Sequence, residues 1–274
     1  MHNKKSSIIL VGESIECLFT LKQTLDKNCI ISGVVFCNQK NFKSRLRHEI
    51  KTIKRHGFTL RISQIVLSIY YKLFFKNLDN KFLKKIFKNL EFQKIEAELI
   101  KKKIPYIRTS NFHSEEAMIF ISSKKPHFLV CHSPYWIEKK VRMLAVDKIV
   151  IGGHPGLVPY YRGAHSSFWC IYDGLPYMNG YSIFLLDGGI DSGPLIKQEK
   201  VKYKFSLSYK ANDYLLMQMI STDLADIADR YSSGIRFDTS LQQNMQPIQV
   251  RPQPGIFHFF SFKKKLTQQK LMDS

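Results

Sequence analysis

No stretch of this chain reaches the roughly 18 to 20 consecutive apolar residues that a membrane-spanning helix needs. Its first apolar run, Ile8-Ile9-Leu10-Val11, is broken by Gly12-Glu13 and is too short for a signal-peptide core. The expectation is therefore a cytoplasmic protein. Five cysteines, Cys17, Cys29, Cys37, Cys131 and Cys170, include no Cys-x-x-Cys pair, which argues against both a disulfide framework and a zinc site. We expect no metal, and read Cys37 and Cys131, each closing an apolar run, as buried thiols. The first turn, Gly12-Glu13-Ser14, is not Gly-x-Gly-x-x-Gly, so nicotinamide dinucleotide binding is not expected. Aromatic boxes of the kind that stack RNA bases are also missing.

Acidic residues are scarce as well. Across 274 residues, 22 Asp and Glu stand against 42 Lys and Arg, a formal charge of +20. The first 110 residues carry +15 of it and the remaining 164 only +5. Such a surface suits an anionic substrate, nucleic acid or an anionic membrane, and a merely solvated lysine-rich face is the plain alternative.

What is present is a core and a rhythm. At 44% apolar the chain can bury a sizeable interior. Ser7 to Val11 reads as a buried strand, Ser14 to Leu25 as an amphipathic helix and Ile30 to Cys37 as a second strand. Residues 39–103 interrupt this pattern with a basic, mostly helical insertion. It includes Arg45, Arg47, Lys51, Lys54, Arg55 and Arg61, then apolar and lysine residues at helical spacing from Tyr70 to Lys88. A helix of this kind packs its apolar face on the domain or lies on an anionic membrane.

The alternation resumes with strands at Ile104 to Ile107, Phe128 to Cys131 and Lys148 to Ile151. Helices are expected at Ser114 to Ser123, with Ser114 as cap, at Glu138 to Leu144 and at Gly163 to Tyr172. The fold class is α/β, a doubly wound and mainly parallel sheet. Residues 1–205 form the main unit. Residues 206–274 supply a long helix, Ser208 to Tyr231, and an extended tail with Pro247, Pro252 and Pro254.

Ligands in such sheets sit beyond the carboxyl ends of the strands. Two strand ends carry chemistry: Cys131-His132-Ser133-Pro134-Tyr135 and Gly152-Gly153-His154-Pro155-Gly156. Glycine and proline fix the backbone around His154. A later glycine-rich loop, Asp187-Gly188-Gly189-Ile190-Asp191-Ser192-Gly193-Pro194, presents carboxylates that could face it. A His and a carboxylate across a cleft make a general acid/base pair. Taken singly, such a His is more often structural, and such an Asp more often a turn-former.

His154-Pro155-Gly156-Leu157-Val158-Pro159, Tyr161-Arg162-Gly163, the 187–194 loop and the 37-residue spacing from His154 to Asp191 together resemble the formyltransferase family that uses 10-formyltetrahydrofolate. The resemblance covers about Lys103 to Val201, extends to Ser7 to Cys37, and is absent from 39 to about 95. It implies a Rossmann-like formyltransferase fold and transfer of a formyl group to an amine. In that reading His154 is the oxyanion and proton-transfer residue and Asp191 its carboxylate partner. His132, Ser133, Pro134, Tyr135, Leu186, Asp187 and Asp191 would hold the folate. Gly152, Gly153, Pro155, Arg162, Gly163 and His165 would line the acceptor site.

The chain departs from the family at Gly152, where the pattern Asn-x-His has its Asn. An oxyanion donor of that kind is worth roughly 2.7 to 4 kcal/mol. Either a neighbour (His132, Ser133, His165 or Ser166) replaces it, or the reaction is slower or different, or catalysis is lost and binding kept. The segment after Val201 is shorter than the C-terminal barrel of methionyl-tRNA formyltransferases, so tRNA is the less favoured acceptor. The Tyr-Arg-Gly-Ala-His run and Ser167-Phe168-Trp169 look most similar to sugar N-formyltransferases. The implied substrate is an anionic amine, a nucleotide-linked amino sugar, with peripheral membrane contact and a homodimer left open.

Overall fold

The structure, a computed structural model, describes residues 4–38, 53, 57–242 and 250–273. Arg45, Arg47, Lys51, Lys54, Arg55 and Pro247 lie outside the described residues. Nine strands are named in chain order: β1 Ser6–Gly12, β2 Ile30–Cys37, β3 Tyr106–Thr109, β4 Phe128–His132, β5 Ile149–His154, β6 Arg162–Gly163, β7 Gly180–Leu185, β8 Leu195–Lys200 and β9 Val250–Arg251. Seven of them form one sheet in the order β3-β2-β1-β4-β5-β7-β8. From β3 to β5 the pairings are parallel, and β7 and β8 are antiparallel. The sheet is thus mainly parallel, as its apolar strands imply.

Alternation along the strands sorts the core into two layers. Ile9, Val11, Val34, Phe36, Phe128, Val130 and Ile151 face one side, Ile8, Leu10, Val35, Leu129 and Val150 the other. Helices α1 (Ile15–Leu25), α4 (Phe92–Lys101) and α8 (Tyr209–Ser232) cover the first layer, while α5 (Glu115–Ser123) and α6 (Lys139–Arg142) cover the second. The remaining helices are α2 (Phe58–Phe74), α3 (Lys76–Ile86), α7 (Ser166–Tyr172) and α9 (Ile256–Asp273). The Ser114 cap falls where expected, accepting from the Ala117 amide at 3.3 Å, and Ser208 caps α8 by accepting from the Ala211 amide at 3.0 Å. All five cysteines are free, and Cys37 and Cys131 are buried.

Several boundaries differ from expectation. β3 lies two residues further on than Ile104 to Ile107, at Tyr106–Thr109. β5 runs to His154 rather than ending at Ile151, because β7 pairs beside it and carries the ladder onward. α7 starts three residues after Gly163, since Arg162 and Gly163 pair in parallel with Val250 and Arg251, and His165 sits at φ 54°. The tail, expected to be extended, contains α9. Its Phe259, Phe262 and Leu266 fall at helical spacing and pack on Phe168 and Tyr209 of a third core cluster.

Candidate active site

β5 brings the glycines and the histidine to the carboxyl edge of the sheet. Its residues alternate in direction, so Gly152 and His154 look to one face and Gly153 to the other. An added Cβ on Gly153 would meet Ile220 Cγ2 at 2.4 Å and Ile183 Cδ1 at 2.9 Å. Gly153 is therefore glycine because α8 lies against the strand there.

His154 is buried, 7% exposed, and engaged at both ring nitrogens. Nε2 lies 2.8 Å from the Tyr161 carbonyl, which can only accept, so Nε2 carries the proton. Ser166 Oγ stands 3.2 Å from the same nitrogen and donates to the same carbonyl at 3.1 Å. Nδ1 faces Asp191 Oδ2 at 3.5 Å. The Gly163 amide donates to that carboxylate oxygen at 3.0 Å. Asp191 adopts φ 50°, a left-handed conformation that Asp tolerates better than most side chains. Gln242 ties the assembly together. Its amide donates to the Asp191 and Gly193 carbonyls at 3.0 and 2.8 Å, and its Oε1 accepts from Arg162 Nη2 at 2.6 Å.

The space beside Gly152 is filled by an apolar group. A Cβ at Gly152 would stand 2.7 Å from Leu186 Cδ2 and 3.1 Å from Leu186 Cγ. Leu186, half-buried against the second core layer, occupies the side of the strand on which a residue-152 side chain would project.

The other expected residues divide. His132 follows Val130 on the opposite face of the sheet and bonds Thr20 Oγ1. Thr20 spends its proton on Ser221 Oγ at 2.7 Å, and Ser221 spends its own on the Met217 carbonyl at 2.8 Å. His132 Nδ1 must therefore be the donor. Burial holds its pKa down at about 4, so the ring is neutral. It faces α1 and α8, away from Gly152, and that placement argues against its acting as a folate contact or as a replacement donor. Ser133 Oγ accepts from the Tyr135 amide at 3.2 Å, Tyr135 packs against Phe112, and Pro134 lies beside Gly12. Asp187 Oδ1 accepts from the Gly189 amide and Ser192 Oγ at 2.9 and 2.6 Å, a loop-forming role. Arg162 is buried, and its Nε has no hydrogen-bond partner. Pro155 is half-buried beside His154. His165 Nδ1 bonds Asp213 Oδ2 at 2.9 Å, so it is held toward α8. Of the four neighbours considered as stand-ins for the missing Asn, Ser166 is the one seen in contact with His154.

No family model matches the chain. Two curated relatives do. A methionyl-tRNA formyltransferase of Syntrophomonas wolfei is 25% identical over 144 residues, 53% of this chain. A second, from Finegoldia magna, is 25% identical over 141 residues, 52% of this chain. The match spans a little under half of these relatives, 46% and 44% of their lengths. Among solved structures, a 4-N formyltransferase from Francisella tularensis superposes with a TM-score of 0.51 at 17% identity, covering 88% of this chain and 74% of its own. A phosphoribosylglycinamide formyltransferase from Anaplasma phagocytophilum gives 0.55 at 11% identity, covering 84% and 88%. The chain has the fold of these formyltransferases and, over about half its length, is similar in sequence to methionyl-tRNA formyltransferases.

Sequence reading missed Gln242 and Asp213, which hold Arg162 and His165 from 80 and 48 residues away. Neither belongs to a motif, and only the folded chain brings them in. The Tyr161 carbonyl was missed too, because a backbone acceptor leaves no mark in residue type. Among the described residues, no group of three His, Cys, Asp or Glu that could hold a metal comes together, and no helix is long and apolar enough to cross a membrane.

Proposed function

We propose that this chain transfers a formyl group from 10-formyltetrahydrofolate to a primary amine, an amino group of a nucleotide-linked sugar. The observation that carries this reading is the His154–Asp191 pair at the end of β5, with Nδ1 and Oδ2 3.5 Å apart. The Tyr161 carbonyl holds the proton on Nε2, which leaves Nδ1 as the basic nitrogen. His154 Nδ1 would accept the proton that the attacking amine gives up as its bond to the formyl carbon forms, and return it to the folate nitrogen whose bond to that carbon breaks, with Asp191 stabilising the imidazolium between. This geometry favours proton transfer over oxyanion binding for His154, since its one N–H is already committed. Folate, when bound, supplies the electrophilic formyl carbon. The 133–135 and 186–191 loops would hold it, with the half-buried Tyr135 and Leu186 as apolar contacts. Position 152 offers the formyl oxygen no side-chain donor.

Residues 1–205 carry the reaction in this proposal, and 206–274 brace it. A solved sugar N-formyltransferase from Shewanella, similar in fold over 87% of this chain, is consistent with a sugar acceptor. Folate and nucleotide sugars are cytoplasmic metabolites, and we place the chain there. Leu186 over Gly152 favours a second reading, a folate-binding member without turnover. Release of tetrahydrofolate from 10-formyltetrahydrofolate, followed with nucleotide-linked amino sugars, separates the two. Clear folate binding without turnover on any amine would sink the first.

A further inference from the structure

Helix α2 has two apolar sides. Leu67 and Tyr71 are buried against the domain, beside α9 and α8. At the helical repeat, Phe58, Ile62, Ile65, Val66, Ile69 and Leu73 fall within an arc of about 100° turned away from that buried side. These six are exposed, Ile69 at 53% and Leu73 at 73%. The stripe runs about 22 Å along the helix. Among the described residues, Leu67 and Tyr71 on the opposite side anchor α2, and the stripe is left exposed. A helix that is apolar on its outward side is covered by something in the working protein.

The surroundings of the stripe name the cover. α2 contains no Asp or Glu, Arg61 and Lys72 border the stripe, and Lys76 follows at the start of α3. α9 packs beside α2 through Phe259 and Tyr70. It turns Phe257 and Phe260 outward, 68% and 60% exposed, with exposed Lys263 and Lys264 among them. A second copy of a chain carrying +20 would set these cationic borders against each other. An anionic bilayer satisfies both halves of the pattern, taking the apolar side chains at the level of its headgroups and the lysines at its surface charge.

We propose that α2, with α9 beside it, docks this protein in-plane on an anionic membrane surface. The docking is independent of the formyl-transfer reading and stands or falls by a separate measurement. The test is flotation of the full chain with phosphatidylcholine vesicles, with and without about 30 mol % phosphatidylglycerol. Wild-type protein should bind the anionic vesicles at least about tenfold more strongly than the neutral ones, and lose that binding in high salt. The double variant Ile69→Asp/Leu73→Asp changes exposed positions, so its melting temperature should stay near wild type. Its partitioning should fall at least about tenfold. Equal partitioning of variant and wild type overturns the proposal, as does failure of the wild type to float with anionic vesicles. A dimer that the same substitutions split, with no vesicle binding, would assign the stripe to a second copy and refute the membrane.

Discussion

Replacing Gly152 with Asn would supply the carboxamide that this site lacks, but the structure predicts that the single change achieves little. The new Cβ would lie 2.7 Å from Leu186 Cδ2 and 3.1 Å from its Cγ, both closer than ordinary van der Waals contact. Leu186 must swing aside, and overpacking of this kind costs about 1 to 3 kcal/mol. The Asn then competes with Leu186 for the space and reaches the formyl oxygen only part of the time. Leu186→Ala clears the position. Because Leu186 is only half-buried, its truncation should cost about 1 to 2 kcal/mol, below the range for core leucines. The double variant Gly152→Asn/Leu186→Ala should therefore melt higher than the two separate costs imply, by a coupling of about 1 kcal/mol. With the donor in place, the formyl-transfer rate should rise by about a hundredfold or more over wild type. The single Gly152→Asn should gain about tenfold or less. Single-turnover release of tetrahydrofolate and thermal melts read both quantities. A folded, folate-binding double variant that turns over no faster than wild type would refute the idea that position 152 limits the reaction.

Other perturbations test the rest of the site. His154→Ala and Asp191→Asn should each cut turnover by about a hundredfold or more, and near-normal rates in either would remove the acid/base assignment. His132, neutral in the fold with a pKa of about 4 against 6.5 unfolded, is protonated first in the unfolded chain. Its contribution to stability is therefore flat above pH 6.5, falls as pH drops from 6.5 toward 4, and costs at most about 3 kcal/mol. Denaturant unfolding at several pH values should show this loss in wild type and a shallower slope in His132→Gln; identical slopes would falsify the buried-neutral assignment. Gly153→Ala places a methyl 2.4 Å from Ile220 Cγ2 and should lower stability by about 1 to 3 kcal/mol in a thermal melt. An unchanged melt would mean that α8 does not press on β5 as described.

The amino acids announced this architecture where one element sufficed to read it. β1, α1 and β2 lie within a residue of expectation because each has a clean apolar period and a turn at its end. β8 and α9 were not foreseen. β8, Leu195–Lys200, reads Leu-Ile-Lys-Gln-Glu-Lys and has too few apolar residues to announce a strand; pairing with β7 makes it one. The aromatics of α9 sit so densely that their extended and helical patterns coincide, and the choice is made by Phe168 and Tyr209 across the cluster. At the site, the resemblance of their motifs singled out His154 and Asp191, and the structure does bring them together. The facing of His132 was not. It depends on which parity of β4 meets α1, and a run of five buried residues hides that parity. Leu186 was foreseen as a folate contact, but its position over Gly152 could not be read from a chain in which the two are 34 residues apart.

The small ladder of β6 on β9 couples two distant stretches of chain at the level of single atoms. Gly163, whose amide holds Asp191, has φ 96°, and a Cβ there would sit 2.4 Å from the Arg251 carbonyl. The Ala164 amide donates to that same carbonyl at 3.0 Å. Only glycine lets the two backbones come this close. Side chains in a ladder alternate with every residue, so a slip of one position in the tail would turn Val250 and Arg251 over. Arg251 would then leave Asp173, which its Nη2 now contacts at 2.6 Å, and the backbone beneath Asp191 would lose its support. Insertions between α8 and β9 can be absorbed so long as this two-residue phase is kept. The tail thus works as a gauge that sets the height of the carboxylate, and its phase rather than its length is what the chemistry depends on.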